Sequence, residues 1–94
     1  PLVPEVAFMT VIPGTMPALE RGLDVLETLQ AAPAGLGISE LAGRLGVNKN
    51  AIFRITHTLT ARGYLERDDV SKRFRLSAKF LQLGRPHVGE VSLT

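Results

Sequence analysis

Between Ile38 and Leu76 the chain alternates helix starts, glycine stops and a basic ribbon in an order that few folds accommodate. Ser39 is a good N-cap for a short helix that runs through Leu45. Gly46 then supplies the left-handed turn that ends it. Asn48 caps a second helix, which continues to about Arg62 before Gly63 stops it. Tyr64–Arg67 and Arg73–Ser77 read as short antiparallel strands around Asp68-Asp69-Val70-Ser71. Two capped helices across a tight turn, followed by a ribbon, predict a winged helix-turn-helix: mainly α with a small β-ribbon, an α+β class.

Helical periodicity extends this unit upstream. Pro17 suits a first helical turn, and Leu19, Leu23, Leu26 and Gln30, with Leu29 beside them, follow an amphipathic rhythm. Val25 lies next to that stripe. Pro33 ends the helix, and Ala34-Gly35-Leu36-Gly37 is a flexible connection. Downstream, Ser77 is placed to cap a last helix, Ala78–Leu83, ended by Gly84. The expected organisation is therefore an arm at 1–16, a single domain at 17–84 and a tail at 85–94. Met9 and Met16 are both candidate natural starts.

With 94 residues and 45% hydrophobic content, the chain can build one small core. Aromatics are only 5% and Trp is absent, so Leu, Ile and Val carry the packing. The net charge of +2 conceals a strong asymmetry. Residues 1–43 carry Arg21 against five carboxylates, whereas residues 44–85 carry ten Lys and Arg against three. The second segment is the one suited to a polyanion. The chain has no Cys, which excludes disulfides and thiolate metal sites and fits a reducing cytoplasm. No Lys or Arg precedes Arg21, and Pro4, Pro13 and Pro17 break the apolar N-terminal run. That pattern is not a secretory signal, and no stretch approaches the ~18 apolar residues of a membrane span.

On the second helix, Ile52, Ile55, Thr56 and Leu59 fall on one side at ~100° per residue. Asn50, Arg54, His57 and Ala61 fall on the other, with Phe53 on the flank. An outer face of this kind offers hydrogen bonds to a nucleic acid: Asn pairs bidentately with adenine and Arg with guanine in the major groove. Lys49 sits beside the positive end of the helix dipole, where phosphate binds. In the ribbon, Arg67, Lys72, Arg73 and Arg75 are placed for phosphates or a minor groove. The same charges also serve to protect an edge strand from aggregation, and Asn48 and Asn50 also serve simply as caps. Phe74 and Leu76 share a face and read as core, as does Tyr64. The candidate DNA-binding set is Ser39, Asn48, Lys49, Asn50, Ala51, Phe53, Arg54, His57, Arg67, Lys72, Arg73 and Arg75.

Catalysis needs a converging nucleophile, base and orienting group. The two His residues, His57 and His87, are far apart in sequence and lack the carboxylate or Cys spacing of a metal site. Gly35-Leu36-Gly37 is too short for a phosphate-cradling loop. The expectation is no enzyme, no cofactor and no metal. A winged helix used for protein–protein contact is the alternative function, and the basic second segment argues against it.

Several ordered segments carry a family likeness: Ala18-Leu19-Glu20-Arg21-Gly22-Leu23-Asp24-Val25-Leu26, Ile38-Ser39-Glu40-Leu41-Ala42, Leu45 through Ile55, Arg62-Gly63-Tyr64-Leu65 and Phe74-Arg75-Leu76-Ser77 with Leu83-Gly84. Together they resemble the N-terminal domain of IclR-type bacterial transcription regulators, over roughly residues 17–84. The resemblance implies that Asn48–Arg62 is the recognition helix, with Arg54 on the family's characteristic Arg. It also implies a homodimer on a palindromic double-stranded DNA operator. Family members carry a C-terminal effector domain of roughly 150 residues, so small-molecule control is expected in a domain absent from this chain, with 85–94 as tail or the start of its linker. Two departures stand out. Asn50-Ala51 replaces the usual Ser-Thr pair, and Thr56 stands where an apolar residue is usual, which predicts weaker inner packing.

Overall fold

The computed structural model describes residues 14–85. Most of the expected arm, and the tail with His87, lie outside the described residues. Helix α1 spans Pro17–Gln30, α2 Ile38–Leu45 and α3 Lys49–Ala61. Strands β1 (Leu65–Arg67) and β2 (Phe74–Leu76) follow, then α4 (Ala78–Leu83). This is a three-helix bundle with an antiparallel ribbon, the winged helix-turn-helix arrangement.

One apolar residue or more from α1, α2, α3, β1 and β2 meets at a single core: Val25, Leu29, Leu41, Ile52, Leu65 and Phe74, with Leu36 from the α1–α2 connection. Truncating one such side chain to Ala typically costs ~2–5 kcal/mol. The stripe on α1 is rotated from the expected one. Val25 and Leu29 are buried, while Leu19 and Leu23 remain 59% and 48% exposed. The α1 sequence is apolar over nearly half its circumference, so spacing alone fits two stripes; packing against β2 and α2 selects the one centred on Val25 and Leu29.

The start of α2 also differs from expectation. Ser39 does not cap it. The helix begins at Ile38 with Gly37 as N-cap, and Ser39 lies exposed in the first turn. Glu40 reaches back one turn, its Oε1 accepting from Gly37 N at 2.9 Å. That carboxylate satisfies an otherwise orphaned amide and suits the positive helix end, so the start shifts two residues upstream.

The ribbon pairs Leu65 with Leu76, Glu66 with Arg75 and Arg67 with Phe74. Leu36 joins from the other side: its N donates to Phe74 O at 3.1 Å and its O accepts from Phe74 N at 2.8 Å. Both backbone groups of Phe74 thus go to Leu36, while Arg67 is its register partner across the ribbon, so β2 lies at the centre of a miniature three-stranded layer. Gly35, buried at φ +91°, makes this approach possible, because a Cβ there would lie 2.9 Å from Phe74 O. Thr56 is fully buried without loss of satisfaction. Its hydroxyl donates to Ile52 O at 2.9 Å, so helix carbonyls accommodate the polar atom that packing alone would reject.

Candidate nucleic-acid interface

The turn between α2 and α3 fixes how α3 is presented. Gly46 adopts the left-handed conformation (φ 67°, ψ 32°), and both Gly46 N and Val47 N donate to Ala42 O. The chain turns within three residues, and Asn48 Oδ1 accepts from Ala51 N at 2.8 Å to start α3. The Asn48 oxygen is therefore committed to capping. Ala51 is half-buried on the side facing α1.

Ile52 and Thr56 bury one side of α3, with Ile55 and Leu59 partly buried beside them. Asn50, Arg54 and His57 are exposed on the other side, and Lys49 is exposed at the N-terminal end of the helix. Among the described residues, no ion pair engages Lys49 or Arg54. Phe53 stands at the edge of this face, its ring stacked on His57 with centroids 5.8 Å apart and planes 10° apart. This face combines donors, an amide and an aromatic edge without an internal partner for its charges.

The ribbon distributes its cations unevenly. Arg67 has the same parity as Leu65 and lies opposite Phe74, so it shares the inner face and borders the groove lined by Ile38, Phe53 and His57. Its guanidinium also sits 3.6 Å from Asp69. Arg73 and Arg75 emerge on the outer face, flanking Gly35. Arg73 is tied to the body of the domain: Nη1 donates to Gly35 O at 3.2 Å, and Nη2 lies 4.0 Å from Glu40. Lys72 alone projects from the tip.

That tip is built around Asp68. Its N donates to Arg73 O at 2.9 Å, its O accepts from Lys72 N at 2.7 Å, and its Oδ2 accepts from Ser71 N at 2.9 Å. Hydrogen bonds from Ser71, aided by the positive charge of Arg75, hold the Asp68 carboxyl below its ordinary pKa. Lys72 closes the loop at φ 65°, the one non-glycine residue with positive φ among those described. Gly or Asn is usual at such a position, and here a cation occupies it.

The far end of α3 is fastened to α4. Ser77 Oγ donates to Gly63 O at 2.6 Å, and Lys79 Nζ donates to Arg62 O at 2.7 Å. The same ammonium lies 4.8 Å from the Tyr64 ring centroid, a cation–π contact. Tyr64 therefore serves packing, as its place after the Gly63 stop suggests.

Sequence reasoning located the face of α3 but missed four features. The i, i+4 spacing of Phe53 and His57 was a sufficient signal for the ring stack. The parity of Arg67 with Leu65 was a signal for its inner position. The Arg73–Gly35 and Lys79–Arg62 bonds join residues 38 and 17 positions apart, and no local pattern announces them. Among the described residues, no group of three or more His, Cys, Asp or Glu comes together, and no helix is long and apolar enough to cross a membrane.

A helix presented across a glycine turn, with a polar cationic face beside a ribbon, defines a winged helix-turn-helix DNA-binding domain. The model of the IclR helix-turn-helix domain matches residues 18–69, and the chain belongs to this family of DNA-binding transcription regulators. The matched domain is a binding domain and not a catalytic one. The glycerol operon regulatory protein of Streptomyces coelicolor is 37% identical over 71 residues, which is 76% of this chain and 28% of that protein. An IclR family regulator from Brucella abortus superposes with a TM-score of 0.68 at 38% identity, over 76% of this chain and 27% of that one. A regulator from Alicyclobacillus acidocaldarius gives a TM-score of 0.71 at 30% identity, over 74% and 28% respectively. The chain thus spans a little over a quarter of the length of these relatives.

Proposed function

We propose that this domain directs a transcription regulator to a specific duplex by inserting α3 into the major groove. In this reading Asn50 and Arg54 contact base edges, Arg54 suiting guanine and Asn50 adenine. Lys49 at the N-terminal end of α3, Ser39 at the start of α2 and Lys72 at the ribbon tip contact phosphates, which set register without reading sequence. Arg67 borders the groove between α3 and the ribbon and faces the minor groove or backbone there. The observation that carries the reading is the contrast across α3: Ile52 and Thr56 fully buried on one side, Asn50, Arg54 and His57 exposed on the other.

One such domain reads only a few base pairs. A homodimer on a palindromic operator doubles the contact and matches protein symmetry to DNA symmetry. Control by a small molecule belongs to a further domain, and the whole acts in the cytoplasm, where bacterial DNA is found. The test is selection of bound duplexes from a random pool, followed by titration of single and paired half-sites at several salt concentrations. A preferred sequence, steep salt dependence and cooperative filling of half-sites one helical turn apart, or a multiple, are expected. Equal affinity for one half-site and the full palindrome, with one domain per duplex in both, rules out the dimer. Salt-independent binding rules out the phosphate contacts, and no binding to any duplex rules out the duplex as ligand.

A further inference from the structure

The stacked pair on α3 has a use that hydrogen bonding does not account for. Phe53 is the one large apolar side chain exposed on this helix, at 55% of its surface. It lies within the surface that carries Asn50, Arg54 and His57, and it has no group with which to contact a phosphate or a polar base edge. Its ring is held by the near-parallel contact with His57, one turn away. Fixing a ring before binding reduces the ordering cost at the interface. An apolar edge at this place matches one feature of the major groove: the C5 methyl group of thymine, which no other base of the duplex presents.

We propose that Phe53 reads a thymine methyl beside the bases contacted by Asn50 and Arg54, and so makes thymine preferred over cytosine at one position of each half-site. This rests on α3 occupying the major groove, as proposed above. The neighbouring groove, between α3 and the ribbon, is lined by Ile38, Thr60, Arg67 and Phe74. Its apolar members, Ile38 and Phe74, lie on the same side of Phe53 as this groove. The exposed edge of Phe53 meets the methyl while the stacked face remains against His57.

Deoxyuridine provides the test, because it deletes the methyl and keeps O4 and the Watson–Crick pairing. Each thymine of the duplex selected from a random pool is replaced in turn, and the affinity of the 94-residue chain is measured. One replacement per half-site is expected to weaken binding about fourfold, the factor carried by one buried methyl group. Phe53→Ala is expected to bind the thymine and deoxyuridine duplexes equally, and Phe53→Leu to retain part of the difference. Circular dichroism melting confirms that both variants fold, as expected for an exposed position. If every thymine tolerates the loss, or if the sensitive one stays sensitive in Phe53→Ala, the inference is overturned. A pool that yields no preferred sequence overturns base reading by α3 itself, and this inference with it.

Discussion

The recognition helix carries two cations, Lys49 and Arg54, and the ribbon four, but the two regions hold them differently. On α3, Lys49 and Arg54 stand exposed with no ion-pair partner among the described residues. In the ribbon, Arg67 is paired with Asp69, and Arg73 is bound to Gly35 O and close to Glu40. Arg75 faces outward opposite Glu66 in the ladder. Net charge therefore overstates the ribbon's grip on a polyanion. Part of its charge secures the ribbon to the helical body, and Lys72 is the group left at the tip. A basic segment acts through its unengaged cations, and these are visible only once partners are assigned.

The largest expected effect tests the helix side of this contrast. Arg54→Ala and Asn50→Ala should each lose about 1–3 kcal/mol on the selected duplex and far less on random DNA. Fluorescence anisotropy on both duplexes measures the difference. Equal losses would move these residues to the phosphate backbone and erase the distinction from the ribbon.

Next comes the attachment of the ribbon. Gly35→Ala places a methyl 2.9 Å from Phe74 O at a backbone angle of +91°, and should destabilise the fold by about 1–3 kcal/mol. Gly43→Ala, inside α2 with open space around the new methyl, should instead stabilise by about 0.5–1 kcal/mol. Urea unfolding of the pair gives both signs. A neutral Gly35→Ala would show that the Leu36–Phe74 pairing is not what anchors the ribbon.

Smaller effects separate the ribbon's own cations. Lys72→Ala should weaken binding to all duplexes and lower the salt slope by about one unit. Arg73→Ala should leave that slope nearly unchanged and cost up to about 1 kcal/mol of stability, since its ion pair is half-exposed and screened. A slope lowered by Arg73→Ala would place its guanidinium on DNA and narrow the contrast.

The smallest effect is a pH dependence of the tip. Asp68 has a folded-state pKa below its ordinary 3.8. Its contribution to loop order is therefore complete above 3.8 and lost as pH falls through the lower folded value. The Ser71 amide resonance, followed by NMR during acidification, should report that loss. Asp68→Asn should keep an acceptor for Ser71 and remove the acid limb.

The helix-turn-helix was legible because its signals are local. Gly46, the Asn48 cap and the alternation of Ile52 and Thr56 with Asn50 and Arg54 each lie within one or two turns. The start of α2 was misplaced because Ser39 and the Gly37–Glu40 pair are competing local signals, and the back-reaching carboxylate prevailed. The α1 stripe was ambiguous because Leu19, Leu23, Val25, Leu26 and Leu29 leave two faces open; packing decides between them. The exposed face of α3 followed from periodicity, whereas the engagement of Arg73 depends on a contact 38 residues distant that periodicity cannot encode.

The bonds from Ser77 and Lys79 to the carbonyls of Gly63 and Arg62 make α4 the short arm of a lever. Its fulcrum is the C-terminal end of α3. The long arm is α3 itself, 13 residues, or about 20 Å at 1.5 Å per residue. Asn50 and Arg54 lie toward the opposite end, beyond the Gly46 turn. A tilt of about 10° passed rigidly through the fulcrum sweeps the N-terminal tip of α3 by about 3 Å, roughly the length of a hydrogen bond.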